Sequence, residues 1–165
     1  MKFALTLAVV LVVLFTAPSA LAQGTNFNGT WDLDQGASEF PQIRRGRGGG
    51  SRIGAGLTLV ITETDNVLTM EHQLERGNRI LTYHLDGSES TNSGPRGEQT
   101  TTSQWDGASL VTEGTMDVST PRGAFSLELF ERHTLSRDGQ TLTVETTRVT
   151  PRGNITTTLV YTKTL

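Results

Sequence analysis

The sequence predicts an all-β fold, an antiparallel up-and-down β-barrel whose first and last strands pair. Three observations carry this expectation. Apolar residues recur at every second position through most of the chain, and no segment keeps a helical period. Turn signals arrive at the spacing of about 8–12 residues that marks all-β domains. The connections after Gly56 are short, so successive strands are neighbours. A meander of this kind exposes two edges unless it closes on itself.

The chain of 165 residues opens with Lys2, an apolar run from Phe3 to Phe15 broken only by Thr6, and the small-residue site Ala20-Leu21-Ala22. This is the pattern of a secretory signal peptide spanning residues 1–22. The run is short for a membrane span, which needs about 20 apolar residues. Cleavage leaves residues 23–165 as one barrel domain, exported to the periplasm or the exterior, with no membrane span. The sequence contains no cysteine. Stability therefore comes from the core, without disulfides and without the cysteine that a bacterial lipid anchor needs. Removal of Lys2 leaves 13 basic against 17 acidic side chains, a poor match for nucleic acid or an anionic membrane.

The first strand is Gly29 to Leu33, with Trp31 and Leu33 on one face. Residues 34–56 break the alternation, and Ile43-Arg44-Arg45-Gly46-Arg47 with the following glycines cannot bury apolar surface, so a flexible Arg/Gly-rich loop is expected there. Alternation resumes at Leu57, Leu59 and Ile61, turns at Asp65-Asn66, and continues through Leu68, Met70, His72 and Leu74. A turn at Arg76-Gly77-Asn78 precedes Leu81, Tyr83 and Leu85. Gly87 to Gly97 reads as a polar loop. Thr101, Ser103 and Trp105 share a face ahead of Asp106-Gly107, a two-residue hairpin signal. Leu110 to Val118, Phe125 to Leu135, Leu142 to Arg148 and Ile155 to Lys163 complete the set, with Asp138-Gly139 as a further turn. The tripeptide Pro-Arg-Gly recurs at Pro95, Pro121 and Pro151. Proline presets φ for a turn and glycine accepts a positive φ, so the repeat is turn chemistry.

The two ends of the chain carry a resemblance. Phe27-Asn28-Gly29-Thr30-Trp31-Asp32-Leu33 resembles the opening strand of the calycin group: lipocalins with Gly-x-Trp, and fatty-acid-binding proteins with Phe-x-Gly-Thr-Trp. Thr158-Leu159-Val160-Tyr161-Thr162-Lys163 is similar to the last strand of fatty-acid-binding proteins. As a whole the chain looks like small exported lipocalin-like proteins of bacteria. The resemblance implies a barrel whose base is plugged by Trp31 and whose lumen takes a small apolar ligand. It also implies departures. Fatty-acid-binding proteins grip a carboxylate partly through Arg-x-Tyr on the last strand; Tyr161 matches the tyrosine, but Leu159 stands in the arginine position. Their two helices between the first strands could not form from Gly46-Arg47-Gly48-Gly49-Gly50.

By alternation, Met70, His72, Trp105, Leu127, Glu131, His133 and Arg148 fall on one face, and Tyr161 joins them on the last strand. If that face lines the lumen, these are the candidate ligand-binding residues: polar groups in an apolar cavity. The other reading places them near the barrel ends, hydrated or bonded to neighbours, with Arg148 pairing Glu131. His72, His84 and His133 lack metal-ligand spacing, no cofactor is implied, and no Gly-x-Ser-x-Gly elbow suggests catalysis. The expected function is binding of a small apolar molecule; the alternative is a structural or protein-interaction domain of the cell envelope with a packed barrel.

Overall fold

The structure is a computed structural model and describes residues 25–40, 57–74, 77–94, 97–121 and 123–164. The expected signal peptide and the Arg/Gly-rich part of the expected loop, residues 41–56, lie outside these residues.

Ten strands follow one another: β1 (Gly29–Leu33), β2 (Thr58–Thr64), β3 (Val67–Gln73), β4 (Arg79–His84), β5 (Glu89–Gly94), β6 (Gly97–Asp106), β7 (Ser109–Thr120), β8 (Gly123–Leu135), β9 (Thr141–Thr150) and β10 (Gly153–Lys163). They form one antiparallel sheet in the order β4-β3-β2-β1-β10-β9-β8-β7-β6-β5. Strands consecutive in sequence are ladder partners at every step but one, between β4 and β5. The remaining ladder joins the chain ends, with Trp31 opposite Lys163 and Leu33 opposite Tyr161. The sheet is thus a nearly closed up-and-down barrel.

Three local expectations are corrected. Residues 34–40 are not loose. Asp34 Oδ1 accepts the N–H groups of Gly36 and Ala37 at 2.9 and 3.0 Å, which makes a tight turn. The chain then rejoins β10, where Glu39 and Thr158 exchange two backbone hydrogen bonds of 2.7 and 3.0 Å. The polar stretch after Gly87 contains β5. Its inward residues, Ser90 and Asn92, are polar, so no apolar alternation marks it. The hairpin between β6 and β7 turns on Gly107-Ala108, because Asp106 already pairs with Ser109; Gly107 takes the positive φ of 62°.

The Pro-Arg-Gly hairpins behave as turn chemistry. The pairs Gly94 with Gly97, Thr120 with Gly123, and Thr150 with Gly153 close them. The glycine of each has φ between 111° and 143°. Since hairpins alternate between the two ends of a meander, all three lie at the end where β1 finishes and β2 begins.

Side chains close the gap between β4 and β5 where backbone pairing stops. The Asn92 amide stands in for a peptide group: its Oδ1 accepts the Thr82 N–H at 2.8 Å and its Nδ2 donates to the Thr82 C=O at 2.9 Å. Ser90 Oγ accepts the His84 N–H at 2.7 Å. Buried backbone polar groups need such partners. Replacing Asn92 with leucine strands both groups of Thr82 and is expected to cost about 1–3 kcal/mol. Amide hydrogen exchange checks this: the Thr82 N–H should exchange faster in the variant, and unchanged protection would show that the amide does not hold the seam.

The interior is built by alternation. Phe27, Trp31, Leu59, Ile61, Leu68, Met70, Leu81, Tyr83, Leu110, Leu142, Val144, Leu159 and Tyr161 form one buried cluster. Trp31 is fully buried, donates its Nε1–H to the Phe27 C=O at 3.0 Å, and carries Lys163 Nζ 5.1 Å above its ring.

Candidate functional site

Ladder register places every candidate residue on the inner face. On β3, Met70 pairs with Ile61 and Leu81, and His72 with Leu59 and Arg79. On β8, Leu127 pairs with Met116, Glu131 with Thr112 and Thr146, and His133 with Leu110 and Val144. Trp105 pairs with Leu110, and Arg148 with Leu129 and Ile155. Tyr161 pairs with Leu33 and Leu142. A residue's neighbours across two ladders share its face, so the parity is common to both walls.

The structure brings some of these residues together. Phe27 stacks on Trp105 with centroids 5.4 Å apart, and His133 lies 6.5 Å from Phe27 and 6.1 Å from Tyr83. The Tyr83 hydroxyl crosses from β4 to β8 and donates to Glu131 Oε2 at 3.1 Å. The expected pairing of Glu131 with Arg148 is not what the structure records. Thr146 sits directly across from Glu131, Arg148 is one inward position further along β9, and the carboxylate takes the tyrosine instead. Met70 and Leu127 supply apolar wall. Tyr161 is fully buried and its hydroxyl has no partner.

Inward polar residues that the alternation did not single out extend the set. Arg79 on β4 reaches Gln99 on β6, its terminal nitrogen 3.5 Å from Oε1. Gln99 and Thr101 are 2% and 1% exposed. Their Nε2 and Oγ1 atoms complete no hydrogen bond; neither do Arg79 Nε, His72 Nδ1, His133 Nδ1, Thr157 Oγ1 and Tyr161 Oη. Buried polar groups are normally satisfied, so this concentration inside one barrel is unusual. The signal available in the sequence was Arg79 at the same parity as Leu81 and Tyr83.

Burial controls the charge states. It lowers the His72 pKa to about 4, helped by the positive charge of Arg79 and by His133. It lowers that of His133 too, against the opposing influence of Glu131 and of the neighbouring Leu110 backbone. Tyr83 is raised well above the usual phenol value, first by burial and then by the charge and hydrogen bond of Glu131; Arg79 and Gln99 oppose this. Burial raises Tyr161 as well. Both histidines are therefore neutral inside the folded barrel at pH 7.

A stability consequence follows. The unfolded chain protonates histidine near pH 6.5, whereas the folded chain holds His72 neutral down to about pH 4. Between these values the unfolded state binds more protons, so acidification favours unfolding. The contribution is complete above pH 6.5 and is lost as pH falls toward 4. His72 alone should lower stability by about 2 kcal/mol from pH 7 to pH 5, with His133 adding in the same direction. Urea midpoints at the two pH values check this; equal midpoints would contradict buried neutral histidines.

Two recesses lie outside the lumen's polar cluster. One of about 480 Å³ is bordered by Thr120, Pro121, Gly123, Ala124 and Phe125 at the tip of the β7–β8 hairpin. A second of about 100 Å³ lies against Gly87, Thr102, Ser103, Gln104, Val111 and Glu113. Among the described residues no group of three or more His, Asp or Glu could hold a metal ion. No helix among them is long and apolar enough to cross a membrane.

No family model matches the chain, and no curated protein is significantly similar in sequence. Solved structures do share its shape. Zebrafish ileal bile acid-binding protein complexed with cholic acid matches with a TM-score of 0.56 at 14% identity, over 84% of this chain and 98% of that one. The REP1-NXSQ fatty acid transporter matches with 0.56 at 11%, over 84% and 96%. Apo lipid binding protein 8 of Caenorhabditis elegans matches with 0.57 at 16%, over 84% and 95%. The ten antiparallel strands, the near-closure and the gap between β4 and β5 are thus the calycin fold in the form taken by fatty-acid- and bile-acid-binding barrels.

Proposed function

We propose that this protein is an exported carrier or sensor that holds a small apolar molecule inside its barrel. The observation that carries the reading is the set of buried, unpartnered polar atoms that face the barrel interior beside its apolar cluster. A few convergent polar groups on apolar walls are what a small-molecule site needs for orientation. The likeness to barrels whose names specify bile acid, fatty acid and lipid supports the same class of ligand. Export rests on Lys2, the apolar run to Phe15 and the Ala20-Leu21-Ala22 cleavage pattern. The proposal is binding without catalysis.

Native mass spectrometry of protein purified from its own host tests this. The expected result is a complex with one small molecule, released on unfolding, on a chain that begins at Gln23. One specific observation favours the alternative of a packed interaction domain. Tyr83 and Glu131 touch across the interior, so that level is filled by side chains. Protein that is always ligand-free and that crosslinks to an envelope partner would establish the alternative instead.

A further inference from the structure

We propose that the barrel end carrying the Pro-Arg-Gly hairpins docks on an anionic lipid surface. This goes beyond the carrier reading and does not depend on what the lumen holds.

One observation is where the exposed apolar side chains sit. Among the described residues the large hydrophobic side chains left exposed are Leu57, Ile80, Phe125 and Phe130. Leu57 immediately precedes β2, Ile80 is the second residue of β4, and Phe125 is the third of β8. Even-numbered strands of this meander all start at the Pro-Arg-Gly end, so three of the four belong to it. Phe130 stands apart on the outer wall, between Glu113 and Thr147. The recess of about 480 Å³ bordered by Pro121, Ala124 and Phe125 opens at the same end. Exposed apolar groups gathered in one region mark an interaction surface.

The other observation is charge. The hairpin connections at this end contain Arg76, Arg96, Arg122 and Arg152, with Glu75 beside the first. Of these four arginines Arg152 lies within the described residues, and it is exposed. The hairpins of the opposite end carry Asp65, Asp86, Asp106 and Asp138, all exposed, with Arg137 beside the last. The net charge of −3 is therefore a sum over two ends of opposite sign. A surface approaching one end meets the local charge and not that sum.

Together the two observations choose the partner. A second copy meeting rim to rim would set arginine against arginine. A copy meeting rim to base would match the charges but press Leu57, Ile80 and Phe125 against aspartates; none of the exposed large apolar side chains among the described residues lies at that base. A soluble polyanion would use the arginines and leave the apolar groups in water. An anionic lipid surface answers both, with phosphates for the arginines and the acyl boundary for the apolar tips.

Co-sedimentation with vesicles tests this, using the processed protein produced in its own host. One set of vesicles is phosphatidylcholine alone, and the other contains phosphatidylglycerol as well. Binding is expected to the anionic vesicles only, and should fall steeply between about 0.05 and 0.5 M salt. Arg152→Gln should weaken it about fivefold, the worth of one basic residue near a charged membrane. Phe125→Ala should weaken it by about fivefold or more through lost apolar insertion. Arg132→Gln changes the net charge by the same amount on a side chain that pairs with Asp106 at the other end, and should leave the affinity unchanged. Equal losses in the two arginine variants, or no binding to the anionic vesicles, would overturn the proposal. So would full binding by Phe125→Ala, which would make the partner a polyanion and not a lipid surface. Should Phe125→Ala lose its β-sheet circular dichroism, Ile80→Ser, at a more exposed position, carries the same expectation.

Discussion

Replacing Trp31 with alanine is expected to lower the thermal unfolding midpoint by about 10–20 °C. The side chain is fully buried where the barrel closes: Leu59 of β2 is its partner on one side and Lys163 of β10 on the other. Removing a buried tryptophan costs about 3–5 kcal/mol through lost contacts and the cavity left behind. Each kcal/mol is worth roughly 3–4 °C in a domain of this size. The Trp31 Nε1–H bond to the Phe27 C=O adds a polar component. Trp31→Phe should therefore recover most of the midpoint but leave that carbonyl without its partner, a loss of about 1 kcal/mol. Calorimetry of the three proteins reads both effects. A shift below about 3 °C for the alanine variant would mean that the ends of the chain do not seal the barrel through this residue.

Valine at Gly114 is expected to destabilise the barrel by about 2–4 kcal/mol, in the range for forced overpacking. Gly114 lies on β7 between Thr101 and Leu129. A Cβ there would fall 2.1 Å from the Thr100 carbonyl oxygen and 2.7 Å from the Thr101 Cα. Those neighbours are backbone atoms, which cannot swing aside as a side-chain tip can. A glycine inside a strand often marks a tight bend or a close backbone approach, and here it lets the β6 backbone at Thr100 and Thr101 come close to β7. Circular dichroism during urea unfolding measures the loss; a variant as stable as the wild type would show that the two strands can separate at no cost.

The parity of the barrel was legible because its walls are mostly apolar. Leu68, Met70, Leu127 and Leu129 alternate with polar residues, and that period put His72, Glu131 and His133 on the inner face before any coordinates. The pairing of β1 with β10 was legible from the need to close a meander's edges. The same method failed where the lumen is polar. Ser90 and Asn92 face inward, but alternation of polar with polar leaves no signal, so β5 read as loop. Gln99 was missed for the same reason, and Arg79 because a charged residue beside a turn reads as solvated. The partner of Glu131 was misjudged because register fixes neighbours along the sheet, whereas Tyr83 reaches it across the lumen from β4. Contacts of that kind depend on barrel curvature, which no two-residue period encodes.

The central functional claim is that the inner polar atoms of β3, β4 and β6 are completed by a ligand. A high-resolution crystal structure of protein purified from its own host and given no added ligand tests it most directly. Elongated density along Met70 and Leu81, with a polar end within hydrogen-bond distance of unpartnered inner atoms such as Arg79 Nε, His72 Nδ1 and Thr101 Oγ1, is the result expected. Isolated waters on each of those atoms, with side chains filling the space between the walls, would contradict it.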